Sequence, residues 1–164
     1  MDIDATAPVI TRDEILIDAP LEVVWRLQTD ISAWPTWRPE VRTARLDGSL
    51  NVGSVFHWEE GGLQIASTVR ELAPFRRIVW TGPAQGIEAV HVWQCTSTPA
   101  GVLVHTEESW SGAPVSAQAA SLQPLLDGAI RAWLTHLKAH AEAEPSGSTF
   151  GEAGRGVRMA VRAS

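Results

Sequence analysis

"GVLVHTEESWSGAPVSAQAASLQPLLDGAIRAWLTHLKAHAEAE", residues 101–144, changes its period partway along. Up to Trp110 the side chains alternate. Val104, Thr106, Glu108 and Trp110 fall on one face, His105 and Glu107 on the other, which is the pattern of a β-strand. After Pro114 the apolar residues recur at helical spacing: Leu122, Leu125, Leu126, Ala129, Trp133 and Leu137, with Ile130 and Leu134 beside them. That spacing predicts one long amphipathic helix from Gln118 to about Glu144. Arg131, Lys138 and Glu142 lie on its polar side. Pro124 is expected to kink its first turns or to mark its start.

Upstream, the strand signals follow in close succession. "GIEAVHVWQC" (86–95) puts Ala89, His91, Trp93 and Cys95 on one face. "RRIVWTG" (76–82) precedes it. "GSVFHWEEGG" and "LQIASTVREL" (53–72) meet at Gly61-Gly62, a hairpin signature. "EVRTARLDG" (40–48) ends in an Asp-Gly turn, and "DEILIDAP" (13–20) is a short strand leading to Pro20. Between these last two lie a short helix over 20–29 and a turn, "DISAWP", closed by Pro35. The order is one strand, two short helices, six strands and a long helix. An antiparallel sheet of seven strands must bury one face. Only the last helix is large enough to cover it, so the sheet must curl around that helix. A helix does not fill a curled sheet evenly, and a cavity between them is expected.

Composition narrows the partners. The 164 residues are 45% hydrophobic and carry a net charge of −6, which suits one domain with a sizeable core. The tail 145–164 holds three Arg and one Glu, or +2, so the body carries −6 − (+2) = −8. Phosphate backbones need clustered Lys and Arg, so nucleic acid is not an expected partner. One cysteine, Cys95, allows no intrachain disulfide; together with a start lacking a signal-peptide pattern, this predicts a reducing, cytoplasmic setting. No run approaches the ~20 apolar residues that span a bilayer. Residues 1–11 read as an N-terminal extension, 12–144 as the ligand-binding domain and 145–164, rich in Gly and Ser, as a flexible tail. A monomer or weak homodimer is expected.

Eight Trp, three Phe and no Tyr is an unusual aromatic balance. Indoles fill cores, and they also wall pockets for flat ligands. Trp58, Trp80, Trp93 and Trp110 on the strands, with Leu126, Ala129 and Trp133 on the helix, are the candidate walls. Trp34 and Trp37 flank Pro35 and form either a lid or a local aromatic plug. His91 reads as a general acid/base or ligand anchor, or as a half-buried imidazole bonded to a neighbouring strand. Glu108 shares its apolar face with Thr106, and a carboxylate there is costly unless paired. It reads as a pocket acid or as the partner that orients His91. The pairs His57/Glu59 and His136/His140 find no third ligand, so no metal is expected.

Five segments also carry a resemblance: "IDAPLEVVW" (17–25), "DISAWPTWRPEV" (30–41), "VRELAPFRRIVWTG" (69–82), "GVLVHTEES" (101–109) and "WLTHLKAHAE" (133–142). In this order they resemble the START/Bet v 1-like (SRPBCC) superfamily, and within it the polyketide cyclase/dehydrase and lipid-transport branch. The resemblance spans residues 12–144. It implies an α+β helix-grip fold, a seven-stranded curled antiparallel sheet around the C-terminal helix, with two short helices after the first strand. It also implies a small hydrophobic or aromatic ligand and no cofactor. A cyclase/dehydratase would use His91 as acid/base and Glu108 as its orienting partner, with Trp34, Trp37, Trp58, Trp80, Trp93, Thr106, Trp110, Leu126, Ala129 and Trp133 around the ligand. A lipid or small-ligand carrier and a co-chaperone-like interaction module use the same scaffold.

Overall fold

A computed structural model describes residues 1–144; the tail expected at 145–164 lies outside them. Strand β1 (Val9–Ile17) leads through Pro20 into helix α1 (Leu21–Thr29) and a 3₁₀ helix, η1 (Ile31–Thr36). Strands β2 (Val41–Leu46), β3 (Val55–Glu60), β4 (Leu63–Ala73), β5 (Arg77–Ala84), β6 (Ile87–Thr98) and β7 (Gly101–Ser111) follow, then helix α2 (Ala113–Ala143). β1 begins at Val9, ahead of the alternation that announces it.

All seven strands form one antiparallel sheet in the order β1-β7-β6-β5-β4-β3-β2. Six are a meander, and β1 closes against the last of them. This is the helix-grip fold. Gly61 and Gly62 both have positive φ, as the hairpin between β3 and β4 requires. Register shifts between Val41 and Thr43 and between Val69 and Glu71 interrupt the pairing. Such bulges bend a strand and increase its twist, which curls the sheet.

Helix α2 starts five residues before the expected Gln118. Gly112, at φ +113°, turns the chain sharply off β7; a Cβ there would sit 2.3 Å from the Gly86 carbonyl oxygen. Pro114 then pre-sets the first turn. The next residues are small and carry no apolar stripe, so periodicity misses this turn although Val115 is fully buried. The distortion lies at Gln118 (φ −132°, ψ 21°), upstream of Pro124. The Gln118 carbonyl there accepts a hydrogen bond from the Ser121 hydroxyl at 3.0 Å.

The helix is fastened to the sheet by an aromatic cluster. Trp133 lies 4.9 Å from Trp93, 5.1 Å from Trp34 and 5.9 Å from Trp58, centroid to centroid. Its Nε1 donates to Gln28 Oε1 of α1 at 3.1 Å. The Arg38 guanidinium lies 3.3 Å from the Trp133 ring centroid. α2 therefore grips β1, β6, β7 and α1 and stands off the concave face of β3–β5. Trp133→Ala is expected to lower unfolding stability by about 3–5 kcal/mol, read by urea titration, because it removes a buried ring and strips Arg38 and Gln28 of a partner.

Candidate functional site

The space left under α2 is a cavity of about 390 Å³. Trp58, Glu60, Ile65, Ser67, Trp80 and Gly82 line it from β3–β5. Ile87, Ala89, Glu108 and Trp110 line it from β6 and β7, and Leu122, Leu125, Leu126, Ala129, Ile130 and Trp133 from α2. Its floor is low where β5 and β6 are small. Ser67, Gly82, Ala89 and Trp110 are neighbours across four strands. A Cβ on Gly82 would lie 2.9 Å from Ser67 Oγ, so a larger residue there would crowd this row. Gly61 and Leu63 on the hairpin, with the exposed Leu125 on α2, rim the cavity.

Of the residues expected around a ligand, Trp58, Trp80, Trp110, Leu126, Ala129 and Trp133 do line this cavity. Trp34, Trp93, Thr106 and Trp37 do not. Trp34 is fully buried and stacks edge-on against Phe56, Trp58 and Trp133, so it is a plug and not a lid. Trp93 packs behind Trp133. Trp37 faces a separate hollow, lined also by Leu27, Ala33 and His140. η1 turns Ile31 and Trp34 toward the core, which a loop reading could not supply.

His91 and Glu108 are brought together, with His91 Nδ1 3.2 Å from Glu108 Oε2. The carboxyl lines the cavity, in keeping with the pocket-acid reading of Glu108, whereas the imidazole, expected to face the ligand, sits behind it, 2% exposed. Thr106 holds the imidazole. Its hydroxyl donates to the Val92 carbonyl at 2.9 Å, so its oxygen accepts from His91 Nε2 at 3.0 Å. The Nε2 proton leaves a lone pair on Nδ1 in the neutral ring. The proton in the Nδ1–Oε2 contact then comes from Glu108. Glu108 Oε1 accepts from Trp110 Nε1 at 2.7 Å. Burial drives the same assignment: it raises the Glu108 carboxyl to about 8, with Glu60 adding to the rise, and together with the nearby Arg38 charge it holds His91 well below its usual range.

Three polar residues of the site went unread in the sequence. Arg38, 1% exposed, ion-pairs through Nη2 with Glu60 Oε1 at 2.9 Å; burial lowers it to about 10, so it stays charged at neutral pH. Its Nε and Nη1 have no partner among the described residues. Glu60 reaches the cavity, and burial raises its carboxyl. Ser67 Oγ accepts from Trp58 Nε1 at 3.0 Å, which leaves its own proton free to donate. Alternation placed Glu60 with Phe56 and Trp58, and Ser67 with Ile65 and Val69. Arg38 sits in an aperiodic segment and left no such signal.

Residues 8–142 match the family model described as polyketide cyclase / dehydrase and lipid transport. The chain belongs to this family. It is a hydrophobic ligand-binding fold, and among the described residues no helix is long and apolar enough to cross a membrane. No functionally curated protein matches the sequence. A hypothetical protein from Helicobacter pylori is similar over 85% of this chain and 91% of its own, at 23% identity and a TM-score of 0.75. A START superfamily protein from Mycobacterium smegmatis matches over 81% and 97%, at 14% identity and 0.67. The di-domain ARO/CYC StfQ from the steffimycin biosynthetic pathway matches over 82% of this chain and 50% of its own, at 16% identity and 0.70. At these identities the likeness is one of fold.

The pair has a signature in stability. Just below about pH 6.5 the folded pair is neutral, because burial holds His91 well below its usual range, while the unfolded pair is imidazolium and carboxylate. Proton numbers are then equal and the pair adds no slope. From about pH 6.5 to 8 only the folded Glu108 keeps a proton, so the pair's contribution falls as pH rises, by about 2 kcal/mol. Glu108→Gln, whose amide can donate to Nδ1 and whose oxygen can accept from Trp110, should lose this decline when unfolding free energies are compared across that range. An identical decline in both proteins would contradict a neutral Glu108.

Proposed function

We propose that the chain binds a planar, largely apolar molecule under α2 and performs cyclase/dehydratase-type acid/base chemistry on it, with Glu108 as the proton-moving group. The observation that carries this reading is the Glu108 carboxyl on the wall of a mostly apolar cavity, hydrogen-bonded to a buried imidazole whose other nitrogen is held by Thr106. A carboxyl at about 8 is a proton donor at neutral pH whose conjugate base is strong enough to take a proton back. Enolisation of a carbonyl ligand, or loss of water from a β-hydroxyl, needs one proton delivered to oxygen and one removed from the adjacent carbon. The two transfers cancel, so one group serves both and no redox partner is consumed.

His91 is the positioning residue. It accepts from Glu108 in the resting state and is itself fixed by Thr106, so the carboxyl keeps one orientation. Trp110 donates to the other carboxyl oxygen and stabilises the carboxylate when it forms. Trp58, Trp80, Trp110 and Trp133 supply the flat apolar walls against which a chain or ring system would be held.

Planar apolar ligands should quench tryptophan fluorescence saturably, with dissociation constants on the order of micromolar. With a turned-over substrate, Glu108→Gln should cut kcat by roughly 10²–10⁴-fold while ligand affinity changes little. His91→Ala should also slow turnover and shift the pH profile, because it removes the acceptor that orients Glu108. Saturable binding by the wild type without turnover of any carbonyl substrate would leave a carrier, in which Glu108 is a polar anchor. No quenching by any planar ligand would remove both readings.

A further inference from the structure

Four indoles and two carboxyls meet in this cavity, and none of the side chains lining it is basic. Trp58, Trp80, Trp110 and Trp133 form the walls, and Glu60 and Glu108 are the only ionisable groups among them. The positive charge nearby, Arg38, does not line the space. It is 1% exposed, its guanidinium lies 3.3 Å from the Trp133 ring, and Glu60, its carboxylate partner, is the group that reaches the cavity. Indole faces attract cations more strongly than any other side-chain ring does. A cation also gains from a carboxylate within reach, whereas an anion would meet Glu60 and no lining side chain with a formal positive charge.

Resting on the reading of this cavity as the ligand site, we infer that it takes a ligand carrying a protonated amine on an apolar ring system, and rejects the corresponding carboxylate. The ring frame lies among Trp58, Trp80 and Trp133. The ammonium lies between Glu108 of β7 and Glu60 of β3, which both line the cavity and feel one another's charge. The groups facing Glu108 are His91 of β6, Glu60 of β3, Arg38 from the segment after η1, and, across Thr11 of β1, Asp127 of α2. Of these only Arg38 is a fixed cation, and Glu60 already neutralises it. An ammonium beside Glu108 favours its carboxylate, so binding at neutral pH releases the Glu108 proton and leaves Glu108 to begin the proposed transfer as the base, taking the carbon proton before delivering it to oxygen. Amine affinity therefore rises as pH increases toward about 8.

A matched series tests this with ligand charge as the variable: 1-methylnaphthalene, 1-naphthylmethylammonium and 1-naphthoate, titrated into the whole chain and followed by tryptophan quenching and calorimetry. The ammonium should bind roughly tenfold or more tightly than the methyl compound, and the carboxylate more weakly than either. The ammonium's advantage should grow between about pH 6 and 8, with proton release seen as a buffer-dependent heat. In Glu108→Gln the ratio of ammonium to methylnaphthalene affinity should no longer grow with pH. Glu60→Gln should reduce the advantage further; if the unpaired Arg38 prevents that variant from folding, the Glu108→Gln comparison decides alone. Equal binding of the methyl and ammonium compounds, or tighter binding of naphthoate, overturns the inference and leaves the apolar site standing. Saturation by none of the three overturns both.

Discussion

Trp133 is the contact on which the arrangement turns. It is the point at which α2 enters the aromatic cluster of the sheet, and it gathers Trp34, Trp58, Trp80, Trp93 and His91 around one ring. It also ties α2 to α1 through Gln28 and covers the Arg38 guanidinium. Because the helix is fixed there and along β1, its earlier turns bridge a gap above β3–β5. The cavity is that gap. Small residues below it, Gly82 and Ala89, deepen the gap where larger ones would fill it.

The same burial that fastens the fold sets its chemistry. Taking His91 and Glu108 out of water disfavours the charged form of each, and their mutual hydrogen bond is kept if one neutral acid donates to one neutral base. Thr106 decides the direction of that bond by committing its own proton to the Val92 carbonyl. Arg38 and Glu60 are buried as an ion pair instead, because a guanidinium does not give up its proton near neutral pH. One cavity thus holds a neutral acid on one side and a paired carboxylate on the other.

Much of the fold was legible in the sequence because it rests on periodicity. The switch from a two-residue period to a helical one after Pro114, and the Gly-Gly hairpin, carry the topology without tertiary information. The start of α2 was not legible, since Gly112 and Pro114 set that turn by backbone geometry and the residues after them are small. In the site, alternation put His91 and Glu108 on the concave face. It could not say which of the two reaches the cavity, because that depends on where α2 stands off the sheet. The choice between lid and plug for Trp34 stayed open for a related reason: η1 has no period that reveals an inward face. Arg38 was missed because a single charge between Trp37 and Pro39 gives no pattern, and its surroundings, Trp34, Trp58, Trp133 and Glu60, come mostly from distant parts of the chain.

The central claim is that Glu108 stands in the cavity as a neutral acid, and its carboxyl group reports this directly. Carbon-13 NMR of side-chain-labelled glutamate, with the Glu108 resonance assigned by its loss in Glu108→Gln, follows ionisation of that one group. The account predicts a protonated carboxyl at neutral pH that titrates near 8. A resonance already at the carboxylate position at neutral pH, titrating near the ordinary glutamate value of about 4.3, would contradict it.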